Sequence, residues 1–155
     1  MTISTQIVNN LNGILNPVVD EGAKLRFKVF DYTQAAVSPT ATTVLSFQDL
    51  PSGRVRILPN FCRFSVSALG AARVLNIGLG AYTGFDGVTV AAVSNNIASA
   101  IDVSAATITT PVTAAGAAPF LDALGRSAPR VLGTVTGGTI PAGATFRGII
   151  AYLID

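Results

Sequence analysis

At 155 residues with a single cysteine, the chain is long enough for one domain with a real core and has no internal disulfide framework. Ten basic and eight acidic residues make 12% of it charged, against about 25% in ordinary soluble domains, while 50% is hydrophobic. No apolar run approaches the ~20 residues of a membrane-spanning helix, so a chain this poor in charge is expected to hide part of its outside against copies of itself or a partner.

Residues 1–22 mix Asn, Thr and isolated aliphatics without a period, which predicts an extended N-terminal arm that orders only on a neighbour. Met1 to Gln6 lack the basic and apolar regions of a secretory signal peptide, and none is expected. Residues 23–155 are then a single domain. Its first strand starts at Lys24, where Leu25, Phe27 and Val29 alternate with Lys24, Arg26 and Lys28, predicting a half-buried strand with a basic outer face. Residues 43–47 are a second strand. Residues 53–58 are a third, with Val55 and Ile57 inward and Arg54 and Arg56 outward. Residues 61–68 and 73–79 follow, with Cys62 on the side of Phe64 and Val66 as a small buried hydrophobe.

The stretch RVLNIGLGAYTG, residues 73–84, has the look of a phosphate-binding glycine loop. The dinucleotide fingerprint needs G-x-G-x-x-G between a strand and a helix, so that pyrophosphate sits on free amides of the helix. Here the third glycine, Gly84, comes one residue late, and turn residues followed by β-branched alternation leave no helix to open. Leu75, Ile77 and Leu79 alternate with Asn76, Gly78 and Gly80, so the glycines mark a bulge or the close approach of another backbone.

Beyond it, residues 88–90 can pair briefly. The Ala/Ser/Thr-rich run 91–118 has no clean period: 96–103 reads as a helical turn or a weak strand, and 107–112 as a strand. Residues 130–135 and 145–154 close the chain. Leu50-Pro51-Ser52-Gly53 and Ile140-Pro141-Ala142-Gly143 both place Pro second and Gly fourth, which suits a type I turn at a strand entry. In the last strand Phe146, Ile150, Tyr152 and Ile154 face one way, and Ile149, Ala151 and Leu153 the other. Both faces are apolar, so this strand is expected to be covered twice, and Ile149 and Leu153 to lie near subunit contacts. Many short strands separated by turns, with no amphipathic helix, predict an all-β fold, an antiparallel β-sandwich or jelly roll.

Little in the sequence points to catalysis. Without histidine, a serine or cysteine nucleophile lacks its usual base, and no clustered ligands suggest a metal. Asp86-Gly87 reads as a turn before it reads as a calcium loop. Asp49, Asp86, Asp102 and Asp122 are candidate glycosidase acids, but no spacing places two of them together. No cofactor is expected. Six of the ten basic residues, Lys24, Arg26, Lys28, Arg54, Arg56 and Arg63, lie between residues 24 and 63. Were their strands neighbours, they would form a stripe of one sign, either a solvated outer face or a contact for an acidic protein surface. Direct nucleic-acid binding is not expected, because the interleaved aromatics that stack bases are missing.

The run FQDLPSGRVRILPNFCRFSVSALGAARVLNIGLGAYTGFDGVTVAA, followed by a small-residue segment and the strand PAGATFRGIIAYLI, resembles small virion proteins of tailed bacteriophages. It looks like the head decoration or cement proteins, β-sandwich or jelly-roll subunits that sit on the capsid lattice, often as trimers. The resemblance implies a non-enzymatic protein of the phage head, made in the host cytoplasm, whose partners are the major capsid protein and its own copies in a homotrimer. Arm and stripe would then engage one acidic surface together. The rival from another class is a carbohydrate- or receptor-binding module of a tail fibre, since jelly rolls often serve as lectins. Sugar sites favour exposed aromatics, and the chain has no tryptophan and three tyrosines.

Overall fold

A computed structural model describes residues 24–109 and 121–154. The predicted arm, residues 1–22, lies outside them, as does the second half of the predicted 107–112 strand. Apart from one 3-10 turn at Pro59–Phe61, the elements are strands: β1 (Lys24–Thr33), β2 (Thr43–Asp49), β3 (Gly53–Ile57), β4 (Arg63–Val66), β5 (Val74–Leu79), β6 (Tyr82–Thr83), β7 (Thr89–Val90), β8 (Val93–Asp102), β9 (Thr107–Thr109), β10 (Leu121–Gly125), β11 (Arg130–Thr136) and β12 (Thr145–Ile154). Every ladder is antiparallel.

β12 is the centre of a six-stranded sheet. β1 runs along one of its edges for ten residue pairs, from Lys24 opposite Ile154 to Thr33 opposite Thr145. Along the other edge β3 pairs with 152–154 and β4 with 146–149, flanked in turn by β10 and β9. The second sheet has the order β2-β11-β5-β8. With β3 and β4 counted as halves of one position, and β9 and β10 likewise, the chain alternates between the sheets in the double Greek-key order of a jelly roll. The expected all-β sandwich is therefore observed.

Between the sheets, Ile57, Phe64, Leu75, Ile77, Val131 and Ile150 are at most 1% exposed. The largest side chains form an aromatic cluster. Phe30 of β1 stacks on Phe47 of β2 at 4.4 Å and 6°. Tyr32 meets Phe47 edge-on at 6.2 Å and lies 6.0 Å from Phe146. Such pairs contribute about 0.5–1.5 kcal/mol each beyond the area they bury.

The glycine-rich strand β5 is structural. Its neighbour β8 is the stretch that the sequence leaves between helical turn and strand, and two register shifts explain the lost period. At the first shift Ala100 has φ +54° and donates its amide to Asn76 Oδ1 at 2.8 Å. At the second, the Leu79 amide donates to Asn96 Oδ1 at 3.1 Å. The bulged β8 backbone thereby passes directly over Gly78, where a Cβ would collide with the Val93 carbonyl oxygen and press on Ser94 and Asn95. One turn sits a residue later than expected. The Ala144 amide donates to the Pro141 carbonyl at 3.3 Å, which makes Gly143, at φ +78°, the third turn residue and not the fourth.

Replacing Gly78 by alanine should destabilise the fold by about 1–3 kcal/mol, because backbone must move to admit the methyl group. Urea denaturation of Gly78→Ala against wild type measures it, and an unchanged midpoint would contradict the close approach.

Candidate functional site

Residues directly opposite each other in an antiparallel ladder share a face, so the registers assign each side chain to the inside or the outside of the six-stranded sheet. Tyr152 pairs with Ile57, Ile150 with Lys28 and Tyr152 with Arg26, all on the core side. On the outer side Leu25 pairs with Leu153, Phe27 with Ala151, Val29 with Ile149 and Asp31 with Arg147. Across β12 this face continues through Arg56 opposite Leu153, Arg63 opposite Ile149, and Ser65 between Arg147 and Ile108.

The expected orientation of β1 is therefore reversed. Leu25, Phe27 and Val29 point outward, 48%, 56% and 67% exposed, whereas Arg26 and Lys28 share the face of Phe30 and Tyr32. Two large aromatics decide the parity. Reading the alternation on to Phe30-Asp31-Tyr32 would have exposed the conflict, since those rings fall on the same side as the basic residues. Lys28 then comes within electrostatic reach of Asp49 on the facing sheet.

The basic stripe is divided accordingly. Arg54 and Arg56 are outward, as expected, with Val55 and Ile57 buried beneath them. Arg26 and Lys28 lie on the opposite face of the same sheet, and Lys24 stands at the start of β1 opposite Ile154. Arg56 donates to both carboxylate oxygens of Asp122, at 2.7 and 3.2 Å. Arg63 donates to the carbonyls of Cys62 and Asn60. Ile149 and Leu153 share the outer face, the first 38% exposed and the second half-buried. A shallow groove of ≈ 290 Å³ runs over Gly148 between Val29, Ile149, Arg63 and Ile108. Ile108, missed by the sequence reading, is 80% exposed.

The four weighed carboxylates all hold local structure. Asp122 pairs with Arg56, and Asp49 takes a bidentate grip from Arg130 on the neighbouring strand. Asp86 accepts the Val88 amide at 2.9 Å within the β6–β7 turn, and Asp102 accepts the Ser104 amide at 2.9 Å. The Arg130 hydrogen bond lowers the Asp49 pKa, and the Ser104 amide lowers that of Asp102. A general acid needs the opposite shift. Among the described residues no group of three or more His, Cys, Asp or Glu side chains is placed to hold a metal ion, and no helix is long and apolar enough to cross a membrane.

No protein-family model matches the chain, and no curated protein sequence matches it. Among solved structures, a chain of the cyanophage Pam1 capsid asymmetric unit is similar, with a TM-score of 0.51 at 16% identity over 86% of this chain and 87% of that one. A chain from the structure of infectious bursal disease virus, Gx strain, gives a TM-score of 0.45 at 11% identity over 84% of this chain and 32% of its own length. The first likeness is one of fold, and its near-equal shares mean two chains of about the same length.

Cys62 is fully buried, as expected, beside the 3-10 turn. Its Sγ accepts the Ala151 amide and donates to the Leu58 carbonyl, each at 3.4 Å. Burial pushes the thiol up to about 11, against the weaker opposing effects of the Ala151 amide and Arg63. The folded state thus holds this proton more tightly than the unfolded chain does, and stability should fall as the pH rises from about 9 to about 11. Relative to Cys62→Ala, the loss should reach up to ~3 kcal/mol. Denaturation midpoints of both proteins across that range test it, and parallel pH profiles would show that the thiol is not held neutral.

Proposed function

We propose that this chain is a structural virion protein, a cement or decoration subunit that binds the assembled phage head and stabilises it without catalysing a reaction. The observation that carries the reading is the jelly roll shared, over nearly the whole of both chains, with a chain of similar length in a phage capsid asymmetric unit. The surface chemistry supports it. Three cross-strand ion pairs engage six of the charged side chains, and large hydrophobics remain exposed. A subunit of this kind binds by burying apolar area, worth about 25 cal/mol per Å² before ordering costs. Its partner on the head is the major capsid protein.

Heads of the phage that encodes the chain, assembled without it, provide the test. Added protein should bind at a fixed number of copies per shell, seen by cryo-electron microscopy, and should raise the temperature at which heads release DNA to a dye. Heads that take up no protein would overturn the reading, and specific binding on a glycan array would replace it with a sugar-binding module.

A further inference from the structure

Strand parity leaves the outer face of the six-stranded sheet with a field of Leu25, Phe27, Val29, Ile149 and Ile108, individually 38–80% exposed. Arg54, Arg56, Arg63 and Arg147 share that face with Asp31 and Asp122, four positive charges against two negative. The face is apolar and basic at once, so its complement is a segment of aliphatic side chains that carries carboxylates and no cationic side chain. Residues 1–23 of the same chain, which lie outside the described residues, have that composition. They hold eight Ile, Leu and Val residues, no lysine or arginine, and the acids Asp20 and Glu21. We propose that this N-terminal segment folds back over the outer face of its own six-stranded sheet, not a neighbour's, and covers the field centred on Phe27, Val29 and Ile149.

The place where the segment joins the fold argues for this. Lys24 opens β1 opposite Ile154, and the next residue, Leu25, already belongs to the field. From Leu25 to Val29 is about 14 Å along the strand at ~3.4 Å per residue. A reversal at Gly22 suits glycine, which takes either sign of φ. The seven residues from there back to Leu15 span up to ~23 Å, enough to bring Ile14 and Leu15 to Val29, Ile149 and the groove over Gly148. Asp20 and Glu21 stay at the near end, where Leu25 lies opposite Leu153 and Leu153 opposite Arg56.

Tethering favours the segment over any separate chain. The field offers roughly 400–500 Å² of apolar surface, about half of the ~800 Å² that one partner contributes to a standard interface. A separate partner must offset its lost translational freedom from that small area, and a tethered segment does not. Attached beside the field, the segment meets its own face at an effective concentration of order millimolar, about 10³ above micromolar free chains offering the same contacts. Phe85, Val88 and Val90 around the β6–β7 turn, 38–62% exposed, stay uncovered and leave apolar surface for a shell. Cover by the segment and binding to heads are therefore separate properties.

Paramagnetic broadening in the full chain is the test. A nitroxide is attached to Asn16→Cys, and the buried Cys62 is left unlabelled. Amide signals of Val29 and Ile149 should broaden strongly, and those of Val44 and Thr134 on the four-stranded sheet should not. In a mixture of nitroxide-bearing chains with isotope-labelled chains that carry none, the labelled chains should stay sharp. Phe27→Glu puts an unpaired charge under the segment and should restore most of the lost intensity. The position is exposed, so its circular dichroism should match wild type, and Val44→Glu should restore nothing. Absent or uniform broadening overturns the proposal, and so does broadening of Val29 and Ile149 in the mixed sample, which would assign the cover to another copy. Head binding is read separately. Heads that take up the protein while Val29 and Ile149 stay sharp leave the cement reading standing without this one, and heads that take up none leave this one standing without the other.

Discussion

The register of β1 on β12 is the constraint from which both faces of the six-stranded sheet follow. Side chains alternate with a period of two, so a slip by one residue would exchange every inward and outward position of β1. Phe30 and Tyr32 fix the choice. Phe30 lies opposite Gly148, and its ring occupies the space that a Cβ there would need. It also stacks on Phe47, while Tyr32 wedges between Phe47 and Phe146. In the slipped register those rings would leave the cluster, and Asp31 would enter the core without its partner Arg147. Burying Leu25, Phe27 and Val29 instead offers no matching ring contacts and adds an unpaired carboxylate, which is costly to bury. The aromatic half of the strand wins, and its basic half follows on the same face.

The limits of the sequence reading come from the same source. Strands whose alternation stays consistent along their length are legible: Val55 and Ile57 inward with Arg54 outward, or Phe146 and Ile150 inward on β12. β1 misleads because its first half, Leu25 to Val29, shows the weaker of two competing patterns, and the aromatic half that decides the parity, Phe30 and Tyr32, follows it. β8 is illegible for a different reason. Its period is broken by bulges that Asn76 and Asn96 hold from across and within the ladder, and that information is not local to the segment. Gly78 is the one trace of it in β5. The fold class survives both failures, because it rests on the number of strands and turns. The candidate surface does not survive them, because a face is defined by parity. The two apolar faces of β12 point to Ile149, but the alternation of Leu25, Phe27 and Val29 with basic residues turns its principal neighbours Phe27 and Val29 toward the core, and Ile108 comes from the unpatterned stretch.

Low charge and an unlike pair of outer faces are connected. Three ion pairs, Arg56–Asp122, Arg130–Asp49 and Arg147–Asp31, join residues directly opposite each other on neighbouring strands. Exposed pairs of this kind contribute only ~0–1 kcal/mol each to stability. What they add is discrimination between registers, since a shifted ladder would leave the charges unmatched. The three pairs take up six of the fifteen charged side chains among the described residues. The outer face of the four-stranded sheet mixes Ser46, Thr134 and Asn76 with Val44 and Leu132, and that of the six-stranded sheet carries Leu25, Phe27, Val29, Ile149 and Ile108 among its arginines and ion pairs. The two outer faces thus differ in how much large apolar surface they expose, which is greater on the six-stranded sheet.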